Sequence, residues 1–365
     1  MEFGLSEEQM LLANSLDGFL AQNLPIENIR LNAKSGNGFD ETLWKGLMQQ
    51  GVCGLLVPEE YGGAGLGVLD AAVVAECFGY HAAVSPFIGS LALAPLALRN
   101  SADSVQQRDW FPRLANGEIR IGIAFAGGSG QVGHSQVELN GQRLTGQVAD
   151  AIDGGAATHF IIYLSDGQAV LAETDAQGLS TKVKRNLDRT RPLTDLMFDS
   201  TEVLLLDAAN DAQASRTAVL DAGRVLLAAD TLGAAQSMFD KAVQYAKERV
   251  QFDRVIGSFQ GVKHTLADMV TDLEPCRSLV WFAAYAQDAL SDEARVSALQ
   301  AKAHLGDVGR EIARLSTEVH GGMGFTDLLG LHYWLKRIAL NRQLLGAPEH
   351  CRHEAAIVQG WTDAN

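Results

Sequence analysis

Polar side chains suited to binding a phosphate group are concentrated in one short stretch within a strongly helical region. The stretch begins at Arg249 and ends at Gln260, with Gln251, Phe252 and Gly257 between them. An arginine guanidinium presents fixed, forked N–H donors that match phosphate oxygens, and glutamine amides add neutral donors. A solvated helix end with an ordinary salt bridge would explain the same residues without a ligand. The pattern therefore leaves open a phosphate-binding turn or a polar helix terminus.

A second stretch that could contact a cofactor follows a helical segment. Residues 318–326 read Glu-Val-His-Gly-Gly-Met-Gly-Phe-Thr. Consecutive glycines let the backbone approach a cofactor closely, and their exposed N–H groups can face its phosphates. A glycine-rich turn that caps the helix explains the same residues and does not exclude such a contact.

Composition and charge exclude several classes of protein. The chain has 365 residues and a formal charge of −15, which makes it a poor candidate for binding nucleic acid or an anionic membrane. Its four cysteines are far apart and form no CxxC pair, which favours reduced thiols and predicts no metal site. No secretory signal and no apolar run of membrane-spanning length is visible, so we expect a cytoplasmic protein.

The elements that must position these residues change character twice along the chain. Residues 1–119 carry apolar side chains at helical spacing, with a capping pattern at Ser6 and Gln9. Residues 120–211 contain short apolar runs separated by turn residues, which predicts a small antiparallel barrel or sandwich. The helical period returns over 212–365, where abundant alanine favours a closely packed bundle. The predicted fold class is therefore α+β, with three domains at these boundaries.

Three motifs resemble those of the acyl-CoA dehydrogenase family. The family's cofactor-binding turn commonly reads Arg-x-Gln-Phe-Gly-x-Pro-Ile-x-x-Phe-Gln, and residues 249–260 are similar to it. Residues 318–325 resemble the family's Gln-x-x-Gly-Gly-x-Gly-Phe segment, and residues 58–65 resemble its Pro-Glu-x-Tyr-Gly-Gly-x-Gly segment. The resemblance covers nearly the whole chain. It implies a helical N-terminal domain, an antiparallel β middle domain and a C-terminal four-helix bundle.

The resemblance also implies an FAD that is held mainly by another subunit and contacts this chain through its pyrophosphate. The residues that would contact it are Arg249, Gln251, Phe252, Gln260, Glu318, Gly321, Gly322 and Ser129. Ser129 belongs to the Gly-Ser core that remains here of the family's Thr-Glu-Pro-x-x-Gly-Ser-Asp loop. Glu318 stands where the family usually has glutamine. A carboxylate beside a pyrophosphate is repulsive unless a cation neutralises it.

The family's catalytic base has no clear counterpart in this sequence. Removing the α-proton of an acyl thioester while hydride leaves the β-carbon requires a carboxylate with a raised pKa. Most family members carry a glutamate that aligns with residues 344–346, and others carry one on the first long C-terminal helix, where Gly223 stands. Asp221 would face another way, and Glu349 would require a shifted alignment. The catalytic residue is therefore left unassigned.

The activity implied by the resemblance is α,β-dehydrogenation of an acyl-CoA substrate to a trans-2-enoyl-CoA, with electrons passing to an electron-transfer flavoprotein. The missing glutamate leaves two arrangements open, each a dimer or tetramer with FAD at the subunit interface. One is the glutamate-lacking subunit of a bacterial heteromer acting on steroid or other bulky side chains, and the other is a homomer with an unrecognised base. The further alternatives are a flavin oxidase or monooxygenase of the same fold, and a non-catalytic partner that completes another chain's FAD site.

Overall fold

The N-terminal third of the chain is helical, as its apolar spacing predicts. The computed structural model describes residues 4–127, 135–206, 208 and 211–363. The predicted capping pattern is confirmed, because Gln9 donates its backbone N–H to Ser6 Oγ at 3.2 Å and its side chain accepts from the Ser6 N–H at 3.0 Å. The α-helices of this region are α1 Glu7–Asn23, α2 Ile26–Ser35, α3 Glu41–Gln49, α4 Val68–Tyr80, α5 Ala94–Ser101 and α6 Ser104–Ala115, and a π-helix spans Phe87–Leu93.

Two four-stranded sheets form the middle of the chain. The strands are β1 Ile121–Phe125, β2 Gln136–Asn140, β3 Arg143–Ala151, β4 His159–Tyr163, β5 Ala169–Glu173, β6 Leu179–Val183, β7 Thr194–Glu202 and β8 Leu204–Leu206. One sheet has the order β1-β4-β5-β8 and the other β2-β3-β7-β6. Buried side chains such as Phe160, Ile162, Leu196 and Phe198 fill the space between the sheets.

The antiparallel prediction holds for these two sheets except at one pair of strands. β1 and β4 run parallel, with Ile121 opposite His159 and Phe125 opposite Tyr163. The chain leaves β1, builds β2 and β3 in the other sheet, and then returns to lie beside β1 in the same direction. A parallel pair requires a long crossover of this kind, and short apolar runs in a sequence do not reveal it.

The C-terminal part returns to helices and packs as a bundle. It contains α7 Ala212–Glu248, the two-stranded hairpin β9 Val250–Gln251 and β10 Arg254–Val255, α8 Gln260–Ala289, α9 Ser291–His320, α10 Leu331–Gln343 and α11 Pro348–Val358. Helices α7, α8 and α9 pack against one another, α10 packs on α7 and α9, and α11 packs on α9. The four-helix bundle is therefore confirmed. Within the part of the chain that the structure describes, no helix is both long and apolar enough to cross a membrane.

Glycines bring the N-terminal helices against the bundle. A Cβ on Gly79 of α4 would lie 1.9 Å from the carbonyl oxygen of Asp230, and a Cβ on Gly233 of α7 would lie 1.9 Å from the carbonyl oxygen of Glu76. Neither helix could approach the other so closely with a larger residue at these positions. The contact fixes α7, which leads directly into the hairpin, against the N-terminal helices.

Candidate functional site

The stretch after α7 forms a tight β-hairpin. Arg249 leaves the helix with extended backbone angles, and Gln251 pairs with Arg254 across the turn. Phe252 and Asp253 have φ of 53° and 58°, the left-handed pair that a two-residue type I′ turn requires. A bulky residue in this conformation costs roughly 1–3 kcal/mol, so the surrounding structure holds the turn in place. The predicted phosphate-binding turn is thus an ordered projection at the end of a long helix.

The hairpin presents its side chains to the outside. Phe252 is 87% exposed, and Arg249, Gln251 and Gln260 are also exposed. Arg249 forms no salt bridge with any residue in the described part of the chain. Gln251 donates only to the carbonyl of its neighbour Val250, at 2.9 Å. These donors are therefore free to bind a ligand or a second chain that approaches from outside.

The glycine segment lies beside the base of the hairpin. The His320 ring packs on the Tyr245 ring with centroids 4.6 Å apart, which joins the end of α9 to the last turn of α7. Gly321 follows with φ of 58°, and a Cβ on Gly321 or Gly322 would meet nothing within 4 Å. The structure thus brings together the two segments that the sequence singled out, and the glycine backbone is open to a ligand.

Glu318 is exposed but its charge is compensated. Arg314, one helical turn earlier on α9, pairs with the Glu318 carboxylate and also donates to Glu311 at 3.0 Å. Sequence reasoning missed this neutralising cation, although an arginine four residues before a glutamate on a helix is a recognisable pattern. The repulsion expected between Glu318 and a pyrophosphate is therefore reduced. Ser129 lies outside the described residues.

The two places at which the resemblance would put the family's base, residues 344–346 and Gly223, meet in the structure. A Cβ on Gly223 would lie 2.6 Å from Leu345 Cδ1 and 3.2 Å from Leu93 Cδ1. Leu345 is fully buried and has a φ of 57°. Arg224 donates from Nε to the Leu345 carbonyl at 2.9 Å and so holds this backbone in place. Apolar side chains occupy the space where a carboxylate would stand.

The two carboxylates that the sequence offered near this point are engaged elsewhere. Asp221 accepts from Arg224 at 2.8 Å and lies 3.6 Å from Arg295, so it faces α9 as the helical spacing predicts. Burial raises the pKa of Asp221, and the two arginines oppose that shift. Glu349 is exposed and pairs with Arg342 at 2.8 Å. A hydrogen bond to its own backbone and the Arg342 guanidinium lower the pKa of Glu349, which makes it a weak base.

Glu354 is a further, partly buried carboxylate that sequence reasoning did not single out. It lies 2.8 Å from Arg224 and 2.9 Å from His350. Burial would raise the pKa of Glu354, but the hydrogen bond with His350 and the Arg224 guanidinium lower it to about 2. Glu354 is therefore ionised and paired, and its role is to neutralise the buried arginine.

The side chains of the hairpin and the backbone of the glycine segment are chemically suited to form one half of a dinucleotide-binding site. The free guanidinium of Arg249 suits pyrophosphate oxygens, and the open backbone at Gly321 and Gly322 allows close approach. Phe252 offers an exposed aromatic face. Because all of these groups point outward, the other half of such a site would have to come from a second chain.

Comparison with known proteins gives consistent matches along the chain. Residues 6–118 match the family description "Acyl-CoA dehydrogenase, N-terminal domain", and residues 213–356 match "Acyl-CoA dehydrogenase, C-terminal domain". The chain is 31% identical over 344 residues to Acyl-CoA dehydrogenase IpdE2 of Mycobacterium tuberculosis, with 94% of each protein covered. It is 30% identical over 345 residues to the protein of the same name from Mycolicibacterium smegmatis, with 94% of this chain and 96% of the relative covered.

A solved structure agrees with these matches. A variant of the "Tcur3481-Tcur3483 steroid ACAD" has a TM-score of 0.87 and 28% identity to this chain, and the alignment covers 97% of this chain and 98% of that one. The similarity extends over the N-terminal helices, both sheets and the bundle, so it includes every element that positions the site.

Proposed function

The chain belongs to the acyl-CoA dehydrogenase family of flavoenzymes, oxidoreductases that act on CH–CH bonds, and from this premise we propose that it is the glutamate-lacking subunit of a heteromer. The proposed reaction is α,β-dehydrogenation of an acyl-CoA thioester to a trans-2-enoyl-CoA. Electrons pass on to an electron-transfer flavoprotein. The usual catalytic glutamate is not found in this chain, because Leu345 and Gly223 stand at its two family positions.

The residues that would hold FAD are those of the exposed half-site. Arg249, Gln251 and Gln260 would donate to the pyrophosphate and its surroundings, the exposed Phe252 would cover an apolar part, and the open backbone at Gly321–Gly322 would face the phosphates. When bound, FAD accepts the hydride that leaves the β-carbon of the substrate. The exposure of these groups supports a cofactor shared with a second subunit, which supplies the remaining contacts.

One observation carries the heteromer proposal. The contact between Leu345 and Gly223 leaves no carboxylate at either family position, and the nearby Asp221 and Glu354 are bound to arginines. A chain without a base at these positions needs a sister chain that provides one. The solved relative described above is named for two proteins together and for a steroid substrate. We therefore propose a bulky, steroid-like acyl-CoA as the substrate class.

Anaerobic reduction by substrate tests this function. The chain is purified alone and co-purified with a glutamate-bearing sister, and each sample is mixed with a steroid-side-chain acyl-CoA. We expect the flavin absorbance to bleach only in the co-purified sample. Replacing the sister's catalytic glutamate by glutamine should abolish the bleaching. Bleaching of this chain alone would contradict the heteromer proposal, and no bleaching in any sample with any acyl-CoA would contradict the dehydrogenase activity.

A further inference from the structure

The tip of the hairpin carries a carboxylate that strains the turn. Asp253 is the second of the two turn residues, and its φ of 58° lies in the left-handed region. Glycine adopts this conformation without steric cost, whereas a residue with a Cβ does not. A type I′ turn favours glycine at this place, and the family's cofactor-binding turn has glycine there. Strain of this kind at an exposed site indicates a function for the side chain that causes it.

Asp253 has no counter-ion in the part of the chain that the structure describes. It is exposed, and it forms no salt bridge with any described residue. Arg254 follows it in the sequence, but the Arg254 guanidinium lies over the Phe259 ring, 3.8 Å from its centroid. The other charged residues at the base of the hairpin are Lys247, Glu248, Arg249 and Lys263. None of these described residues pairs with Asp253, so the tip presents an uncompensated negative charge to the outside.

The hairpin holds Asp253 in a fixed, projecting position. At the base, the Ile256 N–H donates to the Arg249 carbonyl at 2.8 Å. Near the tip, the Phe252 and Phe259 rings meet edge to face with centroids 6.1 Å apart. A strand rises about 3.3 Å per residue, so the tip lies roughly 10 Å beyond the end of α7. Asp253 therefore reaches past the cofactor contact that we assign to Arg249, towards the chain that supplies the rest of the site.

The surroundings of Asp253 are suited to a protein rather than to the cofactor. Phe252 is 87% exposed, Val250 52% and Val255 38%. Exposed apolar side chains beside a charge are typical of a protein contact, in which the apolar groups are buried and the charge selects the partner. FAD does not fit the carboxylate, because its pyrophosphate is also negative. A second copy of this chain fits poorly as well, since it brings the same acidic tip and a formal charge of −15.

We infer that Asp253 forms an ion pair with a lysine or arginine of the glutamate-bearing sister chain. The inference rests on the heteromer proposed above and adds the means by which the sister is recognised. When the sister covers the hairpin, water is removed from the Asp253 carboxylate, and a carboxylate left unpaired there is destabilising. A basic side chain opposite it restores the lost interaction, whereas a neutral or acidic surface is rejected.

Charge removal at the tip tests the inference. Asp253→Asn keeps the shape of the side chain and tolerates the left-handed conformation, and Asp253→Lys reverses the charge. The control is Glu202→Gln, which removes an exposed carboxylate at the end of β7 that also forms no salt bridge within the described residues. Each variant is co-purified with the wild-type glutamate-bearing sister and saturated with FAD. The dissociation constant of the heteromer is then measured by sedimentation velocity at a series of dilutions, and each chain alone is sedimented in parallel.

We expect Asp253→Asn to weaken the heteromer by at least about tenfold and Asp253→Lys by at least about a hundredfold. Glu202→Gln should stay within about twofold of wild type. Asp253→Gly should also weaken the heteromer, yet it should raise the urea midpoint of the isolated chain because it relieves the strain in the turn. That combination separates recognition of the sister from folding of the chain.

Wild-type affinity in both Asp253→Asn and Asp253→Lys would overturn the inference and leave the heteromer intact. Weaker self-association of the Asp253→Asn chain, with the heteromer unaffected, would assign Asp253 to a contact with a second copy and would overturn the inference too. If the wild-type chain binds no glutamate-bearing sister, the heteromer proposal fails and this inference fails with it.

Discussion

Leu345 lies directly over Gly223, with its Cδ1 atom 2.6 Å from where a Cβ of that glycine would stand. The relationship joins residues 344–346 and Gly223, the two places at which the resemblance to the family would put a base, and both are apolar in this chain. Leu93 of the π-helix closes the same space from the N-terminal side, at 3.2 Å from the same point. Three elements are thus packed together at these places, and one substitution could not introduce a carboxylate there without moving its neighbours.

The close approach of α4 and α7 should make Gly233 intolerant of any side chain. In Gly233→Ala the new Cβ would lie 1.9 Å from the Glu76 carbonyl oxygen, so the helix backbones must separate. We expect the free energy of unfolding to fall by about 2–3 kcal/mol in urea denaturation. The control is Gly261→Ala, where a Cβ meets nothing within 4 Å and the helix should gain up to about 1 kcal/mol. Equal stability of the two variants would show that the helices do not touch as described.

Arg249 should determine how well the assembled enzyme retains FAD. Its exposed guanidinium has no salt bridge in the described part of the chain, so Arg249→Ala should leave folding unchanged. Loss of a charged hydrogen bond worth about 1.5–3 kcal/mol should weaken FAD binding about 10- to 100-fold, measured by fluorescence titration. Arg108→Ala removes a similarly exposed arginine on α6 and should have no effect. Equal FAD affinities for Arg249→Ala and Arg108→Ala would show that Arg249 does not contact FAD.

The Arg314–Glu318 pair should behave as a unit in FAD binding. Arg314→Gln leaves the Glu318 carboxylate uncompensated beside the proposed pyrophosphate position. Exposed charges of this kind interact by about 0.2–1 kcal/mol, so the affinity should fall by up to about fivefold. Adding Glu318→Gln should restore it, because the repulsive charge is then gone. If the double variant binds FAD as weakly as Arg314→Gln alone, Arg314 has a role other than neutralising Glu318.

Lys302 should give the chain a characteristic dependence of stability on pH. It is buried behind residues 342–346, where its amine donates to the carbonyls of Arg342 and Gly346 at 3.1 and 2.8 Å. Burial lowers the pKa of Lys302 to about 8, whereas an unfolded lysine has a pKa of about 10.4. Between these values the unfolded chain binds more protons than the folded one, so the free energy of unfolding rises with pH in that window. Below the window, the destabilisation caused by burying Lys302 is present in full.

The variant Lys302→Met isolates this contribution, because it keeps the length of the side chain and removes the titrating group. From about pH 8 to pH 10 the wild type should gain stability relative to the variant by up to about 1.4 kcal/mol per pH unit. The free energy of unfolding of both proteins is measured by urea denaturation across this range. If the free energies of unfolding of the two proteins change in parallel with pH, Lys302 does not have a lowered pKa in the folded chain.

The local patterns in the sequence predicted the elements well. The capping box at Ser6 and Gln9, the helical periods and the short apolar runs around β4, β5 and β7 depend on neighbours along the chain, and the structure confirms them. The parallel pairing of β1 with β4 depends on how the chain crosses between sheets. That information is spread over more than thirty residues, and no local pattern contains it.

For the site also, the local motifs were predicted from the sequence and the contacts between distant residues were not. Spacing and residue type located the hairpin and the glycine segment, and the structure places them side by side through Tyr245 and His320. The burial of Leu345 against Gly223 could not be read from the sequence, because these residues are more than a hundred positions apart.

The central claim is that this chain supplies half of an FAD site and lacks its own base. The measurement that tests it most directly is the number of FAD molecules per polypeptide, obtained from the visible absorption spectrum after denaturation. We expect no more than a trace of flavin on the chain purified alone, and about one FAD for every two polypeptides when it is co-purified with a glutamate-bearing sister. One FAD per polypeptide on the chain alone would contradict the heteromer, and no flavin in either sample would contradict the flavoenzyme assignment itself.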